Sequence, residues 1–341
     1  MKFLKKILPS YRAANMVNNR IKELSNKINV LEKHLSDLND KNDYLFYCSQ
    51  NVSGESIEET KRRVFLNMPK ADGDVRLLQK GSAYILRKLN DICDKNNINF
   101  FLDWGTLLGA ERHHGFIPWD DDIDIGMLRN DYWKLWDALK DDEELCINYY
   151  FMYNPNKTPI SSDIITKVKF KDSDLFYVDV FPYDCVDTED DMEQFFKKHK
   201  ALCATLHSIF REYLEDKNYK QKNYFIPQAE PSFNEDITNI IKNFISSNGY
   251  KTNGNFIALG AEQSFGFVNY CGVFRYEDYF PLAKRSVEFE DLLYNAPINY
   301  KMILKQTYGD YLSLPKNIKP VHSKELSIIT EQDRKIIENI E

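Results

Sequence analysis

The stretch Phe100–Met127, FFLDWGTLLGAERHHGFIPWDDDIDIGM, decides how this chain folds and holds most of its chemistry. Asp120, Asp121, Asp122 and Asp124 repel one another, so a folded chain tolerates them together only where solvent or a bound cation offsets the repulsion. Ile117-Pro118 interrupts any helix, after which Ile123 and Ile125 alternate with Asp122 and Asp124 at the period of a strand. Asp122 and Asp124 are therefore expected on one face, with the isoleucines anchoring the other. Two carboxylates spaced i, i+2 in this way suit a hard divalent cation held through oxygen. An acidic surface turn is the plainer reading, but Phe116-Ile117-Pro118-Trp119 on one side and Ile123 and Ile125 on the other are too apolar for one. A calcium loop would take Asp120, Asp122, Asp124 and Asp131 as its first, third, fifth and twelfth ligands. It fails at the sixth position, where Ile125 stands in place of the glycine that such a loop needs.

Just upstream, Asn99–Leu102 reads as a short strand and Gly105-Thr106 as the turn into a helix that ends before Gly115. A helix start aims backbone N–H groups and a positive dipole end outward, which makes an anion site. Gly105 would let a phosphate approach and Thr106 would cap or donate. Arg112 is the first candidate to clamp phosphate because its fork binds two oxygens at once, with a structural salt bridge to the aspartates as the alternative, and His113 lies beside it.

Working outward, apolar residues from Val75 to Ile92 recur at helical spacing and stop at Asn96-Asn97. A helix through Trp133 and Trp136 ends near Asp141, and its tryptophans read as core. Strands are expected over Ile164–Phe170 and Leu175–Phe181, joined by a short loop, Lys171–Asp174. Asp179 sits in VDVF, a carboxylate on an otherwise apolar strand, so it calls for a ligand or a buried partner. Lys167 on the neighbouring strand would meet phosphate or pair with that acid. A long helix follows Thr188, Val287–Leu293 reads as one strand, and Ile298–Tyr308 as a helix closed by Gly309.

The 341 residues, 43% hydrophobic and 14% aromatic, are ample for a sizeable core. A net charge of −7 argues against nucleic acid as a partner. The six cysteines are scattered without zinc spacing and read as inert thiols in a reducing compartment, and no apolar run is long enough to span a membrane, so a cytoplasmic protein is expected. At the N-terminus, Phe3, Leu4, Ile7 and Leu8 beside Lys2, Lys5 and Lys6 suit either a frayed end or peripheral contact with the inner face of a membrane. Val17, Ile21, Leu24, Ile28, Leu31, Leu35 and Leu38 then follow the heptad seam of a coiled coil, open to a homodimer or to packing on the chain's own domain. The expected organisation is 1–50 basic segment and coiled coil, 51–74 linker, 75–325 catalytic domain and 326–341 tail.

A glycine turn at a helix start, a DxD strand and a third acid on a later strand suit transfer of a phosphate-bearing group. In WGTLLGAERHHGFIPWDDDIDIGM (104–127), DVFPYD (179–184), and AP with YGDYLSLP and then His322 towards the end, the chain resembles the LicD phosphotransferases, which include phosphocholine transferases and fukutin-related enzymes. The resemblance covers about Val75–His322. It implies an α+β, nucleotidyltransferase-like mixed sheet flanked by helices, with the preceding coiled-coil helix left outside it. It also implies Mg2+ or Mn2+, a CDP-activated donor and a glycan or lipid-linked glycan acceptor. Carried over by position, Asp122, Asp124 and Asp179 become metal ligands and catalytic acids, while Gly105, Thr106, Arg112, His113, Lys167 and His322 become substrate contacts. Two rivals stand beside this reading, a DxD glycosyltransferase using a nucleotide-sugar and a non-catalytic coiled-coil adaptor.

Overall fold

The computed structural model describes residues 2–153, 162–186, 192–216, 231–248, 250, 253–263, 273–315 and 329–340. It divides into two compact units, one of Met1–Val64 with Leu312–Leu314 and one of Phe65–Tyr311 with Pro315–Glu341. In the first unit, α1 (Lys2–Gln50) is a single continuous helix, and α2 (Ile57–Leu66) begins where Ser56 and Glu59 cap each other's backbone and side chain. The apolar seam of α1 is solvent-exposed within this unit, so the structure does not bury it on its own domain.

The second unit is built on a mixed sheet. Helix α3 (Gly73–Asn96) buries Leu78, Ile85, Leu86, Leu89 and Cys93 at helical spacing and stops where Asn97 takes a left-handed conformation. After β1 (Phe101–Leu102), α4 (Trp104–His113) is capped by Asp103, and β2 (Asp124–Leu128) leads into α5 (Arg129–Leu139). Then come β3 (Leu145–Tyr153), β4 (Ser162–Phe170) and β5 (Tyr177–Val186). Helices α6 (Met192–Asp216) and α7 (Pro231–Ser247) precede β6 (Phe256–Leu259) and β7 (Val273–Arg275). The short α8 (Tyr276–Tyr279), a separate hairpin of β8 (Ala283–Phe289) and β9 (Leu292–Ala296), α9 (Tyr300–Tyr308) and α10 (Glu331–Ile340) complete the described elements.

Strand β5 is the hub. It pairs in parallel with β2 along one edge, while β4 and β6 share its other edge in antiparallel succession, and the strand order runs β1-β2-β5-β4-β3. Alternation gives each strand two faces. Ile123, Ile125, Val178 and Val180 are fully buried, and Thr166, opposite Val180, bonds the Tyr132 hydroxyl of α5 at 2.7 Å. The apolar face is thus turned to α5, which leaves Asp124, Asp179 and Lys167 on the other.

The α+β class, the mixed sheet and the long N-terminal helix agree with the sequence expectation. Two strand readings need correction. Leu145–Tyr153 is a strand that the sequence reading left unassigned, and Val287–Leu293 is not one strand but the middle of the β8–β9 hairpin. Glu290 and Asp291 make that turn at positive φ without a glycine to announce it. The segment read as a tail carries α10, whose Ile337 is buried and whose Asp333 accepts a hydrogen bond from Ser173 at 2.6 Å.

Candidate active site

Register brings the acids together. Asp124 of β2 lies directly opposite Asp179 of β5, and Asp179 lies directly opposite Lys167 of β4. At the end of the same row, the Asp103 N–H donates to the Asp124 carbonyl at 3.0 Å. Oxygens of Asp122, Asp124 and Asp179 all fall within 4.8 Å of one another. The Lys167 ammonium is 2.8 Å from Asp179 and lies 3.3 Å above the centre of the Tyr177 ring. Asp122 precedes the hydrogen-bonded strand but keeps its alternation, since Ile123 and Ile125 are buried on either side of the Asp124 backbone.

The backbone here is held on every side. The Asp124 N–H donates to the Thr106 hydroxyl at 2.8 Å, and the Asp179 N–H donates to the Ile123 carbonyl at 2.7 Å. Thr106 thereby ties the helix start to the acidic strand. Gly105 lets the Asp120 side chain lie against the start of α4, since a Cβ there would sit 2.7 Å from one of its carboxylate oxygens. Gly126 is needed for close packing: a Cβ would sit 2.4 Å from the buried Phe101 ring and 2.9 Å from the Asp103 carboxylate.

Asp124 has its proton affinity raised well above the usual carboxylate range, first by burial and then by Asp122, Asp179, Asp120 and Asp103. Asp103 is also raised, to about 6, by burial, against the opposing hydrogen bonds from the Tyr183 hydroxyl (2.7 Å) and the Trp104 N–H. Five carboxylates thus crowd one place with a single described ammonium among them. An all-oxygen donor set with surplus negative charge fits a hard cation such as Mg2+ or Mn2+.

The structure does not bring every expected residue to this row. Arg112 and His113 lie at the far end of α4, roughly 9 Å along its axis from Thr106 for Arg112. The Arg112 guanidinium donates to the Tyr311 carbonyl at 2.9 Å and stacks 4.5 Å over the Phe65 ring. His113 donates from Nδ1 to the Phe65 carbonyl at 3.0 Å. His322 lies outside the described residues.

One residue missed by the sequence reading is Glu290, in the β8–β9 turn. It accepts from the Arg76 guanidinium at 2.7 Å and from the Phe116 N–H at 3.4 Å, and so pins the loop that delivers the acidic strand. No local pattern marks it, because its partners are far away in sequence. A second is Arg129, whose guanidinium makes paired bonds of 2.8 Å to Asp184 and 2.6 Å to Glu262, all buried. A usable signal did exist here: Glu262 in FIALGAEQ is an acid following an apolar strand, just as Asp179 is an acid within VDVF.

Residues 97–228 match the family model for the LicD/FKTN/FKRP nucleotidyltransferase domain. The lipopolysaccharide cholinephosphotransferase LicD of Haemophilus influenzae is 30% identical over 267 residues, covering 72% of this chain and 94% of that protein. The human ribitol 5-phosphate transferase FKRP is 33% identical over 57 residues, covering 17% of this chain and 11% of that protein. An uncharacterised Rickettsia prowazekii protein, RP689, is 39% identical over 90 residues, covering 26% of this chain and 34% of that protein. With an acidic row in the predicted strands and a relative matched over nearly its whole length, the chain belongs to the LicD family and is a phosphotransferase.

Proposed function

We propose that this enzyme moves a phosphoryl-linked small group, phosphocholine or a similar phospho-alcohol, from a CDP-activated donor to a cell-surface glycan or its precursor. Asp122, Asp124 and Asp179 would hold Mg2+ or Mn2+. The observation that carries the reading is the acidic row, with three carboxylates gathered within 4.8 Å of one another. The two characterised relatives support the phospho-alcohol, since cholinephosphate and ribitol 5-phosphate differ in the alcohol and share the phosphoryl linkage.

When bound, the cation would offset charge spreading over the phosphoryl oxygens. Asp179 is assigned the acceptor hydroxyl: it holds that oxygen in line with the distal phosphorus and takes its proton as the new P–O bond forms. The pyrophosphate P–O bond breaks and CMP leaves. Lys167 brings a positive charge to the same phosphate, and Gly105 keeps the start of α4 open to the donor. Thr106 acts through the position of Asp124. Arg112 and His113 secure the other end of α4 and are assigned no direct contact. On this reading the enzyme works at the cytosolic side of a membrane, touching it through the basic N-terminal segment and engaging a second copy along α1. Among the described residues no helix is long and apolar enough to cross a membrane.

The test is CMP release from CDP-choline, CDP-ethanolamine, CDP-glycerol and CDP-ribitol, with Mg2+ or Mn2+ and with chelator. Metal-dependent CMP release from at least one donor is expected. Release of UDP or GDP from nucleotide-sugars, without CMP, would instead establish a glycosyltransferase. A protein that binds no divalent ion by calorimetry would be the non-catalytic adaptor.

A further inference from the structure

We infer that α1 pairs with the same helix of a second copy as a parallel, in-register, two-stranded coiled coil, with Asn42 setting the register. This rests on the reading of α1 as a homodimer contact and is independent of the catalytic chemistry.

The seam is open in the structure. From Val17 to Leu45, spanning about 42 Å at 1.5 Å per residue, its apolar side chains are 46–66% exposed. The helix does pack on its own chain, but with a different face. The Tyr47 hydroxyl donates to the Leu312 carbonyl at 2.9 Å, and the Leu314 N–H donates to the Asp43 carboxylate at 3.1 Å. With Ile21, Ile28 and Leu35 at heptad position a, Asp43 and Tyr47 fall at b and f, on the outside of a coil. Intramolecular packing therefore leaves positions a and d clear for a partner.

Charge decides the direction. Position g carries Arg20, Lys27, His34 and Lys41, a basic row. In an antiparallel pair g faces g, so this row would meet itself. In a parallel pair g faces the e position of the next heptad, which sets Lys27 against the partner's Glu32 on both sides of the seam. Asn42 then decides the register. It occupies an a position, and its amide finds a matching amide only when the two helices are parallel and unshifted. Isoleucine at a with leucine at d favours two strands over three or four.

Sedimentation equilibrium of the full-length protein at low micromolar concentration should give twice the chain mass. A monomer there would overturn the homodimer itself, and a trimer or tetramer would overturn the two-stranded assignment. In a C48S background, L38C places two thiols against each other only in a parallel, in-register pair, so mild oxidation should give a disulfide-linked dimer on a denaturing gel. A dimer by mass without that cross-link would overturn the parallel register and leave the homodimer standing. L24D/L31D should be monomeric with its α3–β5 unit still folded by near-UV circular dichroism. Because those substitutions can also melt the helix, charge exchange supplies the second arm. E32K should weaken the dimer several-fold, and K27E/E32K should restore it. Failure of that rescue would overturn the g-to-e pairing.

Discussion

Strand β5 carries two acidic clusters, one on each face, and they are put to opposite uses. Asp179 and Asp184 are five residues apart, an odd spacing, so their side chains leave the sheet in opposite directions. On the α5 side, Asp184 and Glu262 close on Arg129, whose guanidinium also lies 5.2 Å from the Tyr132 ring and 5.4 Å from that of Trp133. Each nitrogen of that fork donates to a carboxylate, and the Ala261 N–H adds a further bond to Asp184 at 3.3 Å. On the other side, Asp122, Asp124 and Asp179 gather with Asp103 and Asp120 nearby, and the ammonium of Lys167 is the cation described among them. Charge matched within the fold serves the fold, whereas surplus charge held at a fixed geometry is useful only to something that binds. Asp→Asn substitutions on the two faces should therefore fail in different ways.

The largest effect is expected from Asp122→Asn and Asp124→Asn. Each removes one charge from a mutually repelling set while keeping side-chain size, so turnover should fall by about 10²–10³-fold or more. Thermal stability should hold or rise, because Asp124 is strained by its neighbours. A drop of several degrees in the melting temperature together with the lost activity would mean that the row is structural after all. Asp179→Asn comes next. It should lower kcat by about 10²–10⁴-fold if positioning and proton removal are lost, and donor affinity, measured by calorimetry with a CDP-alcohol, should change much less. Near-normal turnover would remove Asp179 from the site. Asp184 could not then replace it, since that carboxylate lies on the other face and is held by Arg129.

Arg129→Met turns the comparison round. It leaves Asp184 and Glu262 buried without their cation, a loss of about 3–5 kcal/mol, read as a lower urea midpoint. Activity per folded molecule should be far better preserved than in Asp124→Asn. If turnover in Arg129→Met fell as steeply as in Asp124→Asn while the protein stayed folded, the two faces would not be separate and the division of labour would fail.

How much of this the sequence reveals depends on the range of each interaction. The Asp122/Asp124 alternation was legible because period two is a local property and the buried isoleucines fixed its phase. Asp179 stood out as an acid inside an apolar strand, and the antiparallel loop at 171–174 made Lys167 a plausible neighbour. In the Arg129 cluster only Glu262, an acid after an apolar strand, was legible; the pairing was not, since its members lie at positions 129, 184 and 262 and meet only when β6 joins the edge of β5. The β8–β9 turn was hidden for another reason: Glu290 and Asp291 adopt positive φ without the usual glycine or asparagine. Arg112 shows the opposite failure. Its chemistry suited phosphate, but helical rise carries it away from the start of α4 toward Phe65 and Tyr311.

The smallest expected effect concerns acid stability and belongs to neither face of β5 alone. Burial first, and then the charge of Arg112, lower the His113 proton affinity to about 4. The Phe65 carbonyl can only accept, so Nδ1 carries the proton, and among the described residues the buried Nε2 has no hydrogen-bond partner. An unfolded histidine titrates near 6.5. Between about 4 and 6.5 the unfolded chain therefore binds the extra proton, and stability rises with pH across that window. His113 contributes fully above it and loses its contribution as pH falls towards 4, a change of about 1–3 kcal/mol. Asp103 works in the other direction. Its folded value of about 6 exceeds its unfolded one, so its contribution is present below the unfolded value near 3.8 and is lost as pH rises to about 6. Asp124, also raised by burial and its acidic neighbours, slopes the same way as Asp103, so the two acids oppose His113 in metal-free wild-type protein. His113→Gln should expose the Asp103 slope, with urea midpoints falling as pH rises from 4 to 6. Asp103→Asn/Asp124→Asn should expose the His113 slope, with midpoints rising over the same range. Saturating Mg2+ should flatten the first of these slopes by stabilising the ionised row, and should leave the second unchanged because His113 is remote from it. Equal magnesium sensitivity in both variants would show that the acidic row is not where the cation binds.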